Sequence, residues 1–182
     1  MTYWQKWSKQ GLWDFLRKGD EGLNNESRVW AKENIKGGSL LDCGCGAGVD
    51  CEYLRYLVDY TGIDFTPKMI ELCKENFEGE KFVQDDITKL ENFEDNTFDW
   101  VFCRAVLEHI GEPELAIEQM KRVCKKNGKV VIMLFHKLGK RKIVNLDDKT
   151  FNSTYSKALL RELKPYKKVE LKTYDIIIWQ KD

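Results

Sequence analysis

The sequence predicts an α/β protein built on an open, mainly parallel sheet, and three observations carry that prediction. Short apolar runs alternate with helical stretches along the 182 residues. The first clear run, Leu40-Leu41-Asp42-Cys43, breaks at once into Gly44-Cys45-Gly46-Ala47-Gly48. Asp42, Asp64 and Asp86 then follow at equal spacing, each closing an apolar run one strand–helix unit further on. Strands that alternate with helices pair in parallel, because a parallel crossover needs a helix-length connection.

The elements follow in order. Residues 3–17 and 24–35 read as two helices joined by a turn at Gly19 and Gly22, the first with Trp4, Trp7 and Trp13 at helical spacings. Residues 39–43 form the first strand, with a helix over 49–57. The second strand spans 60–64; Thr66 then stands at a helix N-cap with Pro67 at the first helical position, and that helix runs to 77. Residues 81–84 and 99–103 are the third and fourth strands. Glu112-Pro113 opens a helix for which Asn127-Gly128 supplies the stop signal. Residues 129–135 are continuously apolar, as a central parallel strand should be. Ser153 or Thr154 caps a helix to 163, stopped by Pro165, and 168–172 and 175–180 are two final strands. Without repeats, low-complexity tracts or a linker, the chain reads as a single domain, 1–182. An N-terminal helical segment, 1–37, precedes a core over 38–182.

Composition narrows the function. Thirty basic residues balance thirty acidic ones, so there is no general attraction to nucleic acid or to an anionic membrane. No stretch approaches 18 consecutive apolar residues, the N-terminus lacks the apolar core of a signal peptide, and a cytoplasmic location is expected. The six cysteines contain no C-x-x-C pair, so no metal site is expected. They read as buried reduced thiols, with a thiol or metalloid substrate site as the alternative.

The glycine loop carries the chemistry. Glycine is needed where the backbone turns from strand to helix and approaches a ligand closely, and the helix start offers unpaired amides to negative charge. A dinucleotide fingerprint would need a third glycine at position 49, where Val49 stands, which disfavours an NAD-dependent oxidoreductase. An acid ending the second strand suits a ribose diol, since a carboxylate is acceptor-only and can be bidentate.

The pattern Asp42-x-Gly44-x-Gly46-x-Gly48 resembles the first motif of class I S-adenosylmethionine-dependent methyltransferases. Three further segments stand where that family would put them: Tyr60-Thr61-Gly62-Ile63-Asp64, Phe82-Val83-Gln84-Asp85-Asp86, and Phe98-Asp99-Trp100-Val101 followed by Leu107-Glu108-His109. The last is similar to the fourth-strand motif of small-molecule methyltransferases. The resemblance implies a doubly wound seven-stranded sheet of order 3-2-1-4-5-7-6, with the last strand antiparallel and helices on both faces. It implies S-adenosylmethionine as cofactor, held by Asp42, Gly44, Cys45, Gly46, Ala47 and Gly48. Asp64 would take the ribose, Phe65 and Met69 the adenine faces, Asp86 the adenine amino group, and the Ile87 amide a ring nitrogen. Ordinary core packing is the plainer reading of Phe65 and Met69, and an N-cap or turn carboxylate that of Asp86.

Arg104 departs from the family's usual small or polar residue. It is expected beside the cofactor, paired with the cofactor's carboxylate or with an acidic substrate. His109 and His136, the only histidines, are the acid–base candidates, against a capping or structural role. The basic run Lys137, Lys140, Arg141 and Lys142 reads as a surface loop, with an anionic substrate contact as the alternative. The implied activity is methyl transfer to a small-molecule acceptor, with a catalytically silent cofactor-binding subunit as the other reading. No N-P-P-Y-type motif follows the fourth strand, which disfavours nucleobase-amine and glutamine acceptors.

Overall fold

A computed structural model describes residues 25–135, 167–171 and 174–182. Helix α1 (Asn25–Asn34) leads into β1 (Ser39–Cys43), α2 (Cys51–Leu54), β2 (Asp59–Asp64), α3 (Pro67–Asn76) and β3 (Lys81–Gln84). Then come β4 (Phe98–Arg104), a 3-10 turn (Leu107–His109), α4 (Pro113–Val123), β5 (Cys124–Phe135), β6 (Lys167–Glu170) and β7 (Tyr174–Gln180). The expected helices over 3–17 and 154–163, His136 and the basic run after it lie outside the described residues.

All seven strands form one sheet of order β3-β2-β1-β4-β5-β7-β6. Pairing is parallel from β3 through β5, and β7 runs antiparallel to both β5 and β6. The expected order and the odd direction of the last strand are therefore both present.

Alternation along buried strands decides which helix each residue meets. Leu41, Val101, Val130 and Ile132 face one way and pack with Ala116, Ile117 and Met120 of α4. Leu40, Phe102, Val131 and Met133 face the other way, with Ala31 and Ile35 around α1, Leu54 of α2, and Cys73 and Phe77 around α3. Both faces are covered, so the sheet is doubly wound. No helix among the described residues is long and apolar enough to cross a membrane.

Two boundaries correct the sequence expectation. Helix α2 is confined to Cys51–Leu54 rather than 49–57, because the glycine loop continues as turns through Asp50. Helix α4 stops at Val123, well before Asn127-Gly128, and β5 begins at once at Cys124. The register jumps from Phe98↔Cys124 to Trp100↔Lys129, leaving the residues between as a bulge. Asn127, at φ +64, serves that bulge, donating its amide to the Lys181 carbonyl at 2.8 Å. A Cβ on Gly128 would lie 2.8 Å from the Lys125 oxygen and 2.9 Å from the Asp99 oxygen, so the glycine is required by crowding. The helix end is closed from a distance instead. Lys181 Nζ donates to the carbonyls of Lys121, Arg122 and Cys124 at 3.1, 3.2 and 2.9 Å.

Candidate cofactor site

The chain order reverses between β1 and β4, and in open α/β sheets ligands bind beyond the carboxyl ends of the strands at such a point. The glycine loop leaves β1 there. Gly44 and Cys45 both donate their amides to the Ile63 carbonyl, at 2.9 and 2.8 Å, tying the loop to β2.

The loop's three glycines all have positive φ, +83, +53 and +82, yet they serve different needs. A Cβ on Gly44 would sit 2.5 Å from the Val106 side chain, and one on Gly48 would sit 2.5 Å from the Phe77 ring. These two are glycine because protein fills the space. At Gly46 a Cβ would meet nothing within 4 Å. The middle glycine alone faces open space, as a residue that a ligand approaches should.

Asp64 closes the same cradle. Its Oδ2 accepts the Gly46 amide at 3.0 Å and its Oδ1 the Thr66 amide at 2.8 Å. Thr66 makes no side-chain bond to the start of α3, so it holds the N-cap position without the expected cap. Burial raises the Asp64 pKa above its ordinary value, with the Thr66 and Gly46 amides working against that rise. Each oxygen keeps a second acceptor direction.

The adenine-side expectations separate. Phe65 is 55% exposed, an aromatic face standing beside Asp64, whereas Met69 is 2% exposed and sealed inside. Of the paired acids, Asp85 is the structural one: it accepts the Asp86 amide at 2.7 Å and both the amide and the Nδ2 of Asn92, at 3.1 and 3.0 Å. Asp86 spends one oxygen, Oδ1, on the Thr88 amide and hydroxyl at 2.9 and 2.7 Å. Ile87 is buried beside it, and Ala47 and Cys45 are buried within the glycine loop.

Asp42 is buried and accepts the Tyr60 hydroxyl at 2.5 Å. Burial pushes its carboxyl well up, and the charge of Asp50 adds to the rise. Arg104 at the end of β4 pairs through Nε with Asp50 at 2.9 Å, both side chains being under a tenth exposed. Asp50 also accepts the Tyr53 hydroxyl at 2.5 Å.

Sequence reasoning passed over Asp50, since the helix expected over 49–57 puts it in the first turn, where an acid is ordinary. It stands instead at the N-cap of α2 and makes no side-chain cap bond. His109 keeps an exposed face on the 3-10 turn, and the protein packed around its ring lowers its pKa. All six cysteines are free and buried, as expected, and Cys73 donates to the Gly46 carbonyl at 3.2 Å.

An open groove of about 620 Å³ lies at the opposite, amino-terminal edge of the sheet, between Arg55, Tyr56, Asp99 and Lys125. Neither the loop glycines nor Asp42, Asp64 and Asp86 line it. Among the described residues no group of three or more His, Cys, Asp or Glu is arranged to hold a metal ion.

Comparison with known proteins matches residues 41–132 to a family model described as a methyltransferase domain. The chain is 32% identical over 135 residues to a phosphatidylethanolamine N-methyltransferase of Cereibacter sphaeroides, covering 71% of this chain and 66% of that one. It is 34% identical over 136 residues to a demethylmenaquinone methyltransferase of Staphylococcus aureus, covering 65% and 56% respectively. The matched region thus spans under two thirds of both relatives. Among solved structures, a SAM-dependent methyltransferase from Aquifex aeolicus shares the fold, with a TM-score of 0.68 at 20% identity over 86% of this chain and 89% of that one.

Proposed function

The chain belongs to the methyltransferase-domain family of class I S-adenosylmethionine-dependent enzymes, and on that premise we propose that it methylates a small-molecule acceptor. The observation that carries the reading is the cradle at Gly46. Open space at a loop glycine is flanked by a strand-end carboxylate and by an exposed aromatic ring on the next residue. That donor set suits a ribose diol and an adenine face. Asp64 offers two charge-assisted acceptor directions to the diol, and Phe65 a stacking surface. Asp86, with one oxygen outside its local turn, and the Ile87 amide read the adenine edge; Met69 supports this wall from beneath.

When bound, S-adenosylmethionine supplies a methyl group on a sulfonium sulfur, passed in line to an acceptor lone pair with S-adenosylhomocysteine as leaving group. The chain's own work is alignment and exclusion of water, and holding reactants together supplies roughly 7–11 kcal/mol in well-oriented systems. Where the acceptor must lose a proton, His109 and His136 are the bases we assign. The lowered pKa of His109 favours its neutral form, the form able to accept a proton.

The two relatives are named for acceptors that carry long apolar chains, and we propose the same class here. Calorimetric titration with S-adenosylmethionine and with NAD tests the cofactor: only the former should bind. Release of S-adenosylhomocysteine, measured with phosphatidylethanolamine vesicles and with a demethylmenaquinone, tests the acceptor class. Turnover with neither would remove that class.

We further propose that the aromatic-rich N-terminal segment closes over the cofactor and completes the acceptor pocket. Deleting residues 1–17 should lower methyl transfer far more than cofactor affinity. A truncated protein that unfolds, or that turns over normally, would rule out this lid.

A further inference from the structure

The loop leaving β1 and the turn leaving β4 are held together by contacts that fold stability alone does not call for. Asp50 forgoes the cap of α2 and reaches instead to Arg104, 2.9 Å away, with both side chains nearly fully buried. A buried ion pair is weak evidence for stability, because desolvation offsets much of the attraction. The residue after Arg104 is Ala105, which holds φ at +54, a left-handed backbone that glycine would adopt without strain. Its amide is tied to the Met133 carbonyl of β5 at 2.9 Å. The next residue, Val106, occupies the space over Gly44 that a Cβ there would need. Three consecutive residues at the end of β4 are therefore fixed, one of them under strain, and two of them against the cofactor loop. Strained backbone persists where surrounding contacts over-determine it, and such places cluster at ligand clamps.

The sheet order says which part of the ligand this clamp would meet. Asp64 and Asp86 follow β2 and β3, on one side of β1; the clamp joins β1 to β4, on the other side. If the nucleoside lies over the first pair, the opposite end of the ligand lies at the clamp.

Resting on the reading of the site as an S-adenosylmethionine pocket, we propose that Asp50, Arg104 and the strained Ala105 form a strut across the crevice that positions the methionine end of the cofactor. Asp50 is then a positioning residue acting through Arg104. The strut acts on the amino-acid part of the ligand and leaves the nucleoside part to Asp64 and Asp86.

The test compares calorimetric affinities of S-adenosylmethionine and 5′-methylthioadenosine, which lacks the amino-acid part, for the unaltered full chain, Ala105→Gly and Asp50→Asn. Ala105→Gly should melt no lower than the unaltered protein, since strain is relieved. It should weaken S-adenosylmethionine about tenfold while changing methylthioadenosine less than about twofold. Asp50→Asn should act in the same direction and more strongly, because a charge-assisted partner of Arg104 is lost. Should Asp50→Asn fail to fold, Ala105→Gly decides alone. Equal weakening of both ligands, or no weakening of S-adenosylmethionine, overturns the proposal. If the unaltered protein binds neither ligand, the cofactor reading itself fails, and the strut falls with it.

Discussion

The two edges of the sheet use the same residue type in opposite ways. At the amino edge, Asp99 accepts hydrogen bonds from the Ser39 amide, the Ser39 hydroxyl and Lys125 Nζ, each at 2.8 Å. These donors hold its pKa at about 2. At the carboxyl edge, Asp42 is buried and Asp64 half-buried, and loss of solvent pushes both carboxyls upward. An acid whose pKa falls on folding stabilises the protein at neutral pH; one whose pKa rises does the reverse. Such a cost is what the proposed cofactor site would carry at the carboxyl edge, whereas Asp99 at the other edge is satisfied by its neighbours.

The sharpest way to break this contrast is Gly46→Val. The substitution puts a branched side chain into the open space of the cradle and asks a β-branched residue to hold φ at +53. Cofactor binding should disappear from calorimetry while the circular dichroism spectrum stays that of a folded α/β protein. Near-native affinity in this variant would mean that the loop is only a turn.

Asp64→Ala comes next. It removes the carboxylate assigned to the ribose diol, and with it two charge-assisted bonds worth about 1.5–3 kcal/mol each. It also releases the Gly46 amide. Affinity for S-adenosylmethionine should fall by about a hundredfold or more, since each 1.4 kcal/mol is a factor of ten. Unchanged affinity would take Asp64 out of the site and leave its raised pKa as a structural accident.

Much of the fold was legible because its signals are local. Apolar runs closed by an acid located β1, β2 and β3, and the glycine loop marked where the chain turns over the sheet. What was not legible depends on partners distant in sequence. Asn127-Gly128 looks like a helix stop, but Lys181 closes α4 and leaves that pair to a bulge. Asp50 falls in the first turn of the helix expected over 49–57, and only the fold reveals Arg104 beside it.

Within the site, sequence could not say that Gly44 and Gly48 are glycine for packing and Gly46 alone for open space. Nor could it separate exposed Phe65 from buried Met69. The proposed role of His109 has the weakest signal for the same reason: it stands on a 3-10 turn beyond the end of β4, where spacing carries no orientation.

The smallest expected effect is the control for the whole comparison, Asp99→Asn at the amino edge. Asn keeps the shape but loses the charge that Lys125 and the Ser39 donors favour. The folded-state pKa of Asp99 lies below its ordinary 3.8, so its contribution is fully present above that value and is lost as pH falls through about 2. Its side chain is 40% exposed, so solvent screening discounts the pair with Lys125, and the substitution should cost about 1 kcal/mol or less at neutral pH. Melting curves at pH 7 and pH 2 should show that deficit at the former and little of it at the latter. Cofactor affinity should be unchanged at pH 7, since nothing at this edge faces the crevice beyond the far ends of the strands. A variant that instead weakened S-adenosylmethionine as much as Asp64→Ala does would show that the two edges are coupled through β1 and β4.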